Sequence, residues 1–281
     1  MLWNAKNGQV AVGDGEMSYV SFGRGGKAFV ILPGLSDGLA TVKGKALMLA
    51  SPYRQFFDRY TVYMFSRRDE IPEDYSIREM AADQAIAMRR LGLENACVMG
   101  VSEGGMIAQY LAIDHPDLVS KLVLAVTAPK INDIARACLA RWTGFAKEGS
   151  HKQLMIDTAE KSYSPAYLQK FRKSYAVIGF IGKPSDHYRR FIANVRAIES
   201  FDASALLSKI ACPTLIIGGE EDKIVGVQAS YELHEAVSGS ELYVYKGLGH
   251  AAYEEAKDFN KRVFAFLERP AGAASVQGEK A

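Results

Sequence analysis

Gly100-Val101-Ser102-Glu103-Gly104-Gly105 is the stretch of the chain most pointed toward chemistry. Its serine lies between glycines two residues to either side, after an apolar run and before a helical pattern. That spacing fits a sharp strand-to-helix turn, where glycines relieve the crowding of a strained backbone. The turn lifts the hydroxyl clear of a sheet and sets it at a helix N-terminus, which favours a developing negative charge. A serine hydroxyl is a weak nucleophile at neutral pH and needs a base. Among the five histidines, His250 fits that role: it follows the apolar run Leu242-Tyr243-Val244-Tyr245 in the loop Lys246-Gly247-Leu248-Gly249. His115 precedes Pro116 at a helix end, and His151, His187 and His234 sit among polar residues and read as surface positions. The base in turn needs a carboxylate to fix its tautomer and stabilise the imidazolium. Glu220, Glu221 and Asp222 follow the run Leu215-Ile216-Ile217-Gly218-Gly219. Asp222, 28 residues before His250, is favoured, with Glu220 and Glu221 as the alternatives.

For three side chains so far apart in sequence to meet, their loops must open at one edge of a sheet. Residues 9–12 and 17–22 read as strands joined by the turn Gly13-Asp14-Gly15. Residues 28–32, 61–65, 96–101 and 121–126 are further runs of strand length, and 214–217 and 241–245 resume the pattern. Continuous apolar runs separated by helices imply parallel strands covered on both faces. Ser76-Ile77-Arg78-Glu79 is a capping box, and apolar residues recur at helical spacing from Ile77 to Leu91. A second helical pattern runs from Met106 to Ile113, and an amphipathic helix over 253–267 closes the sheet. The repeating β-α-β order predicts an α/β fold, a mostly parallel sheet with right-handed crossovers.

Between residues 128 and 208 the strand signal gives way to helix formers and aromatics, among them Trp142, Phe145, Tyr163, Tyr175 and Phe180. The expected organisation is a core of 1–127 and 209–268, a helical insert of 128–208, and a mobile polar tail of 269–281.

Composition narrows the function classes. The chain has 281 residues, 48% hydrophobic and 23% charged, enough to bury a sizeable core. No apolar run approaches the roughly 18 residues of a membrane span, and no leader pattern opens the sequence, so a cytoplasmic protein is expected. Three cysteines without metal or redox spacing read as reduced thiols. A net charge of +2 gives no whole-chain case for nucleic acid or a membrane surface as partner. Residues 128–205 hold 13 basic against 7 acidic side chains, read chiefly as a solvated surface. Gly23-Arg24-Gly25-Gly26-Lys27 fits no phosphate-binding pattern and reads as a hairpin turn. No His or Cys cluster has metal-ligand spacing, and neither metal nor cofactor is expected.

With the order Ser102, Asp222, His250 and this element pattern, the sequence resembles the α/β-hydrolase superfamily over nearly all of its length apart from the tail. The resemblance puts Ser102 at the nucleophile elbow, Asp222 at the acid position, His250 in the histidine loop and residues 128–208 in the place of a cap. It also implies two backbone oxyanion donors, the amides of Glu103 and Leu35. The chain departs from the family's pattern in two places. Pro33-Gly34 stands where many members have His-Gly, and Ser36 and Asp37 could support that loop instead. Phe65-Ser66-Arg67-Arg68-Asp69 lacks the usual Gly-rich turn and reads as a surface ion cluster rather than a pocket mouth.

The expected activity is cofactor-independent hydrolysis of a carboxylic ester carrying a small to medium apolar acyl or aryl group. A basic insert facing the pocket would favour a substrate with its own carboxylate. A lactone, enol-lactone or carbon–carbon bond hydrolase would use the same three residues, and a non-catalytic ligand-binding protein is the reading from another class. Monomer and homodimer are both compatible with the sequence.

Overall fold

The computed structural model describes residues 2–72, 74–171, 183–184 and 186–270. Eight strands form one sheet in the order β1-β2-β4-β3-β5-β6-β7-β8. They are β1 (Lys6–Val12), β2 (Gly15–Gly23), β3 (Lys27–Leu32), β4 (Tyr60–Arg68), β5 (Ala96–Val101), β6 (Val119–Ala125), β7 (Thr214–Gly219) and β8 (Glu241–Tyr245). β1 and β2 pair antiparallel, β2 joins β4 antiparallel, and every pairing from β4 to β8 is parallel. All six residues of β5 and of β7 are buried, which explains why these strands are continuous apolar runs rather than alternating ones.

Helices cover both faces. α2 (Ile77–Arg90), α3 (Glu103–Asp114) and α8 (Gln228–Ala236) contribute Met80, Met88, Ile107, Leu111 and Leu233 to one apolar layer. α1 (Ala46–Ala50) and α10 (Phe259–Glu268) lie on the other, with Phe56, Val263 and Phe266. The capping box forms as expected: Glu79 N–H donates to Ser76 Oγ at 3.2 Å, and Ser76 N–H donates to Glu79 Oε2 at 2.8 Å.

Two sequence expectations are corrected here. The Gly23–Lys27 stretch is not a hairpin turn, because β4 lies between β2 and β3. The amides of Arg24 and Gly25 both donate to Phe57 O, and a Cβ on Gly25 would stand 1.8 Å from the Arg59 carbonyl carbon. The glycines let the chain cross hard against the approach to β4. The closing helix, expected as one piece over 253–267, is two: α9 (Ala252–Glu255) and α10. Ala256 turns extended between them (φ −75°, ψ 114°), so Tyr253 can point toward the cleft described below while Phe259 and Val263 stay on the sheet.

Between β6 and β7 run α4 (Asp133–Lys147), α5 (His151–Ser162), α6 (Pro165–Phe171) and α7 (Arg189–Glu199). Cys138, Leu139 and Trp142 of α4 belong to the same buried cluster as β5 and α3, so the apolar core continues into these helices without a gap. His151, read as a surface position, is buried with its ring 6.0 Å from that of Tyr188. Tyr175 and Phe180 lie outside the described residues, as does the tail beyond residue 270. Among the described residues no helix is long and apolar enough to cross a membrane.

Candidate active site

β5 ends where α3 begins, and Ser102 is the residue between them. Its backbone is left-handed (φ 53°, ψ −119°), a conformation that costs a non-glycine residue about 1–3 kcal/mol. The neighbours hold it there. Ser102 N–H donates to Ala125 O at 2.9 Å, and Thr127 Oγ1 donates to Ser102 O at 2.7 Å. The flanking glycines are required by contact: a Cβ on Gly100 would sit 2.3 Å from Gly104 O, and one on Gly104 would sit 2.0 Å from Leu32 O.

The loops after β7 and β8 bring in two further side chains. His250 Nδ1 lies 2.8 Å from Asp222 Oδ2, and His250 Nε2 lies 2.9 Å from Ser102 Oγ. With Nδ1–H donated to the carboxylate, Nε2 is left as acceptor for the serine hydroxyl. Asp222 Oδ1 accepts from the amides of Ile224 and Val225 at 2.8 and 3.0 Å. Burial pushes the Asp222 carboxyl up, but His250 and these amide bonds outweigh it and hold the group below its ordinary value. Of the three acids in this loop, Asp222 is the one that reaches the imidazole. Glu220 is exposed and instead accepts from Gly247 N–H at 3.0 Å, bracing the histidine loop from outside. The loop is also held from α5, whose Ser162 O accepts from Ala251 N–H at 2.8 Å.

In front of Ser102 lies a cavity of about 120 Å³. Its floor is Gly34, Leu35, Ser102, Glu103 and His250, and its walls include Met106, Leu139, Trp142, Ile198, Ile224 and Val225. The walls are drawn from α3, α4, α7 and the loop after β7. Leu35 begins a single helical turn (Leu35–Gly38) and Glu103 begins α3, positions whose amides have no acceptor within their own helix. Gly34 keeps the floor open, since a Cβ there would stand 3.2 Å from Ser102 Cβ. Among the described residues the lining holds no lysine or arginine, so the described basic side chains of residues 128–205 do not face the cavity. Arg189, Arg190 and Arg196 line a separate crevice with Asp69, Glu70 and Asp186. Among the described residues, no three His, Cys, Asp or Glu side chains cluster to hold a metal ion.

The model of the alpha/beta hydrolase fold family matches residues 27–257, most of the chain and all three of these loops. The chain belongs to the α/β-hydrolase fold family. It is 30% identical over 189 residues, 65% of this chain and 69% of the relative, to "Putative carbamate hydrolase RutD" of Escherichia coli O157:H7 (strain EC4115 / EHEC). Among solved structures, MGS-M2, an alpha/beta hydrolase enzyme from a Medee basin deep-sea metagenome library, superposes with a TM-score of 0.84 at 21% identity, over 94% of this chain and 98% of that one. The enol-lactonase from Burkholderia xenovorans LB400 superposes with a TM-score of 0.76 at 20% identity, over 93% and 100% of the two chains.

Behind the cavity floor of this α/β-hydrolase lies a group of buried charges, Arg67, Glu103 and Asp37, of which Arg67 was expected at the surface. Arg67 is 1% exposed, and its Nη2 stands 2.9 Å from Glu103 Oε2, out of line for a hydrogen bond. Burial pushes the Glu103 carboxyl up, against the pull of Arg67. Asp37 is buried beside them and accepts from Arg67 N–H at 3.1 Å, in the bracing place suggested for it at the loop after Pro33-Gly34. Arg68 and Asp69 do stay near the surface, pairing with Asp14 and with Ser18 and Gln9. The missed signal was Glu103 itself: a carboxylate one residue after Ser102, on the fully buried first turn of α3, requires a cation close by.

Proposed function

We propose that this chain is a serine hydrolase that cleaves small carboxylic esters through Ser102, His250 and Asp222. The observation that carries the reading is the bridging imidazole, 2.9 Å from Ser102 Oγ on one side and 2.8 Å from Asp222 Oδ2 on the other. Ser102 Oγ attacks the ester carbonyl as His250 Nε2 takes its proton. Asp222 holds Nδ1–H and stabilises the imidazolium that forms. The carbonyl oxygen, now an anion, lies against the amides of Leu35 and Glu103, each donor of this kind contributing about 10²–10³ in rate. His250 returns its proton to the leaving alkoxide, freeing an alcohol and an acyl-Ser102. Water, deprotonated by the same nitrogen, releases the acid and restores the serine. Every proton in the sequence is carried by the chain's own residues and water.

The cavity suits a short acyl group. An apolar cavity of about 150 Å³ holds benzene, so this smaller one suits an acyl part of about six non-hydrogen atoms or fewer. Residues 128–208 act as a cap over a core of 1–127 and 209–268, since α4 and α7 supply walls of the cavity and the core supplies its floor. A lactone is the second reading, favoured by the compactness of the cavity, in which a cyclic ester keeps both halves of the cleaved bond.

The test is labelling with a fluorophosphonate probe, peptide mapping, and a folded Ser102→Ala control, followed by a panel of short esters, long esters and lactones. Labelling confined to Ser102, with acetyl and butyryl esters turned over faster than octanoyl ones, is expected. A folded parent protein that takes no label would instead support the ligand-binding reading.

A further inference from the structure

Arg190 stands in the first turn of α7, above the loop that carries Leu35. A guanidinium has five N–H donors in a rigid fork, and here all five have acceptors. Nε donates to Asp37 O at 3.2 Å, and Nη1 donates to Arg68 O at 2.5 Å and Asp69 O at 3.2 Å. Nη2 donates to Asp37 Oδ2 at 2.7 Å and to Arg67 O at 3.0 Å. Three acceptors are carbonyls at the end of β4 and the residue after it, and two belong to Asp37 in the turn Leu35–Gly38. The Arg190 side chain is 11% exposed and that of Asp37 is fully buried, so the charge-assisted bond between them is partly shielded from water, while the one to Asp69 O lies at the surface. Close backbone packing makes the reach possible: a Cβ on Gly38 would lie 2.9 Å from Phe191 Cα.

The turn Leu35–Gly38 lies outside the sheet. Within it, Asp37 N–H donates to Gly34 O at 3.1 Å, and Leu39 N–H donates to Ser36 O at 3.0 Å. Its orientation against Ser102 is therefore set largely by what grips Asp37. A lysine could not make the same set of bonds, having a point charge on a flexible stem instead of a planar fork.

We propose that Arg190 is a positioning residue that couples the seating of α7 to the placement of the Leu35 amide as an oxyanion donor. The inference rests on the serine-hydrolase reading above. When α7 is seated, Arg190 holds Asp37 and the end of β4 together and the Leu35 amide faces the carbonyl oxygen. When α7 lifts, the turn loses its grip and the donor loses its aim. Transition-state stabilisation would then be available chiefly when the helix is down over the substrate.

The test uses fluorophosphonate labelling of the full chain, because phosphonylation of Ser102 places an oxygen where the oxyanion forms. Arg190→Gln and Arg190→Lys are compared with the parent protein in labelling rate at saturation and in half-saturating probe concentration. The expected result for Arg190→Gln is a saturating rate lower by roughly 10–100-fold, with half-saturation within about threefold. That is less than the about 10²–10³ for a donor removed outright, because the Leu35 amide stays present but misaimed. Arg190→Lys should recover only a minor part. A residue that merely fastened the fold would lower the melting temperature and leave the saturating rate of the folded fraction unchanged, which would overturn the inference. If Arg190→Gln fails to fold, Asp37→Asn, which keeps the shape and loses the charge, should lower the saturating rate in the same direction; an unchanged rate overturns the inference. A parent protein that takes no label removes the serine-hydrolase reading and this inference with it. A labelled parent with equally fast variants removes this inference alone.

Discussion

Ser102 is approached from two sides that are built differently. On the side of His250 and Asp222, each polar contact is aligned: two hydrogen bonds link the three side chains, and two amides hold the remaining carboxylate oxygen. On the side of Arg67, Glu103 and Asp37, charges are just as buried but poorly matched. Arg67 Nε, Glu103 Oε1 and Asp37 Oδ1 have no hydrogen-bond partner, and neither has the side-chain amide of the buried Asn194 nearby. The aligned side can move a proton without rearranging. The mismatched side packs its charges behind the backbone that carries the Leu35 and Glu103 amides.

Breaking the aligned side should have the largest effect. Asp222→Asn is expected to lower kcat on a turned-over ester by roughly 10⁴-fold, because the imidazole loses the partner that fixes its tautomer. A fall smaller than tenfold would remove Asp222 from the mechanism. The same substitution should destabilise the protein more at pH 7 than at pH 3. The folded-state carboxyl is held below its ordinary value, so its contribution is present above the ordinary carboxylate range and lost as pH falls. Breaking the mismatched side should show in stability instead. Arg67→Met alone is expected to cost about 3–5 kcal/mol in urea unfolding by stranding Glu103, whereas Arg67→Met with Glu103→Leu should cost far less. Equal losses in the single and double variants would show that the pair is not mismatched. The smallest effect belongs to an acid away from both sides. Burial pushes the Asp83 carboxyl up to about 6, and its Oδ2 has no partner. Its raised value means that stability falls as pH rises through that range. Asp83→Asn should therefore raise Tm at pH 7.5 by roughly 2 °C, about what 1 kcal/mol after solvent screening gives in a chain of this size, and by less at pH 5.

The aligned side was legible in the sequence and the Arg67–Glu103 pair of the other side was not, for a physical reason. Ser102 announces itself because the turn around it excludes Cβ atoms at Gly100 and Gly104, and glycine spacing is written locally. His250 and Asp222 follow from the ends of apolar runs, and β5 and β7 were readable because strands buried on both faces need unbroken apolar residues. Arg67 gave the opposite impression. Ser-Arg-Arg-Asp reads as surface until its partner is known, and that partner, Glu103, is far away in sequence and brought near only by the pairing of β4 with β3 and β3 with β5. The Gly23–Lys27 stretch was misread for the same reason, since strand order rather than turn composition decides whether two consecutive strands form a hairpin. The break between α9 and α10 leaves the helical spacing of apolar residues undisturbed, so periodicity alone does not reveal it.

The strand order has a consequence for how the molecule comes into being. His250 lies 148 residues beyond Ser102 and 28 beyond Asp222, and β8 is the outermost strand on its side of the sheet. The elbow itself is local, because β5, Ser102 and α3 are consecutive in the chain. The imidazole arrives only when β7 and β8 have docked and the 148-residue span back to Ser102 has closed, a step that chain entropy makes slow. On dilution from denaturant, helix content should return ahead of the reactivity of Ser102 toward a fluorophosphonate.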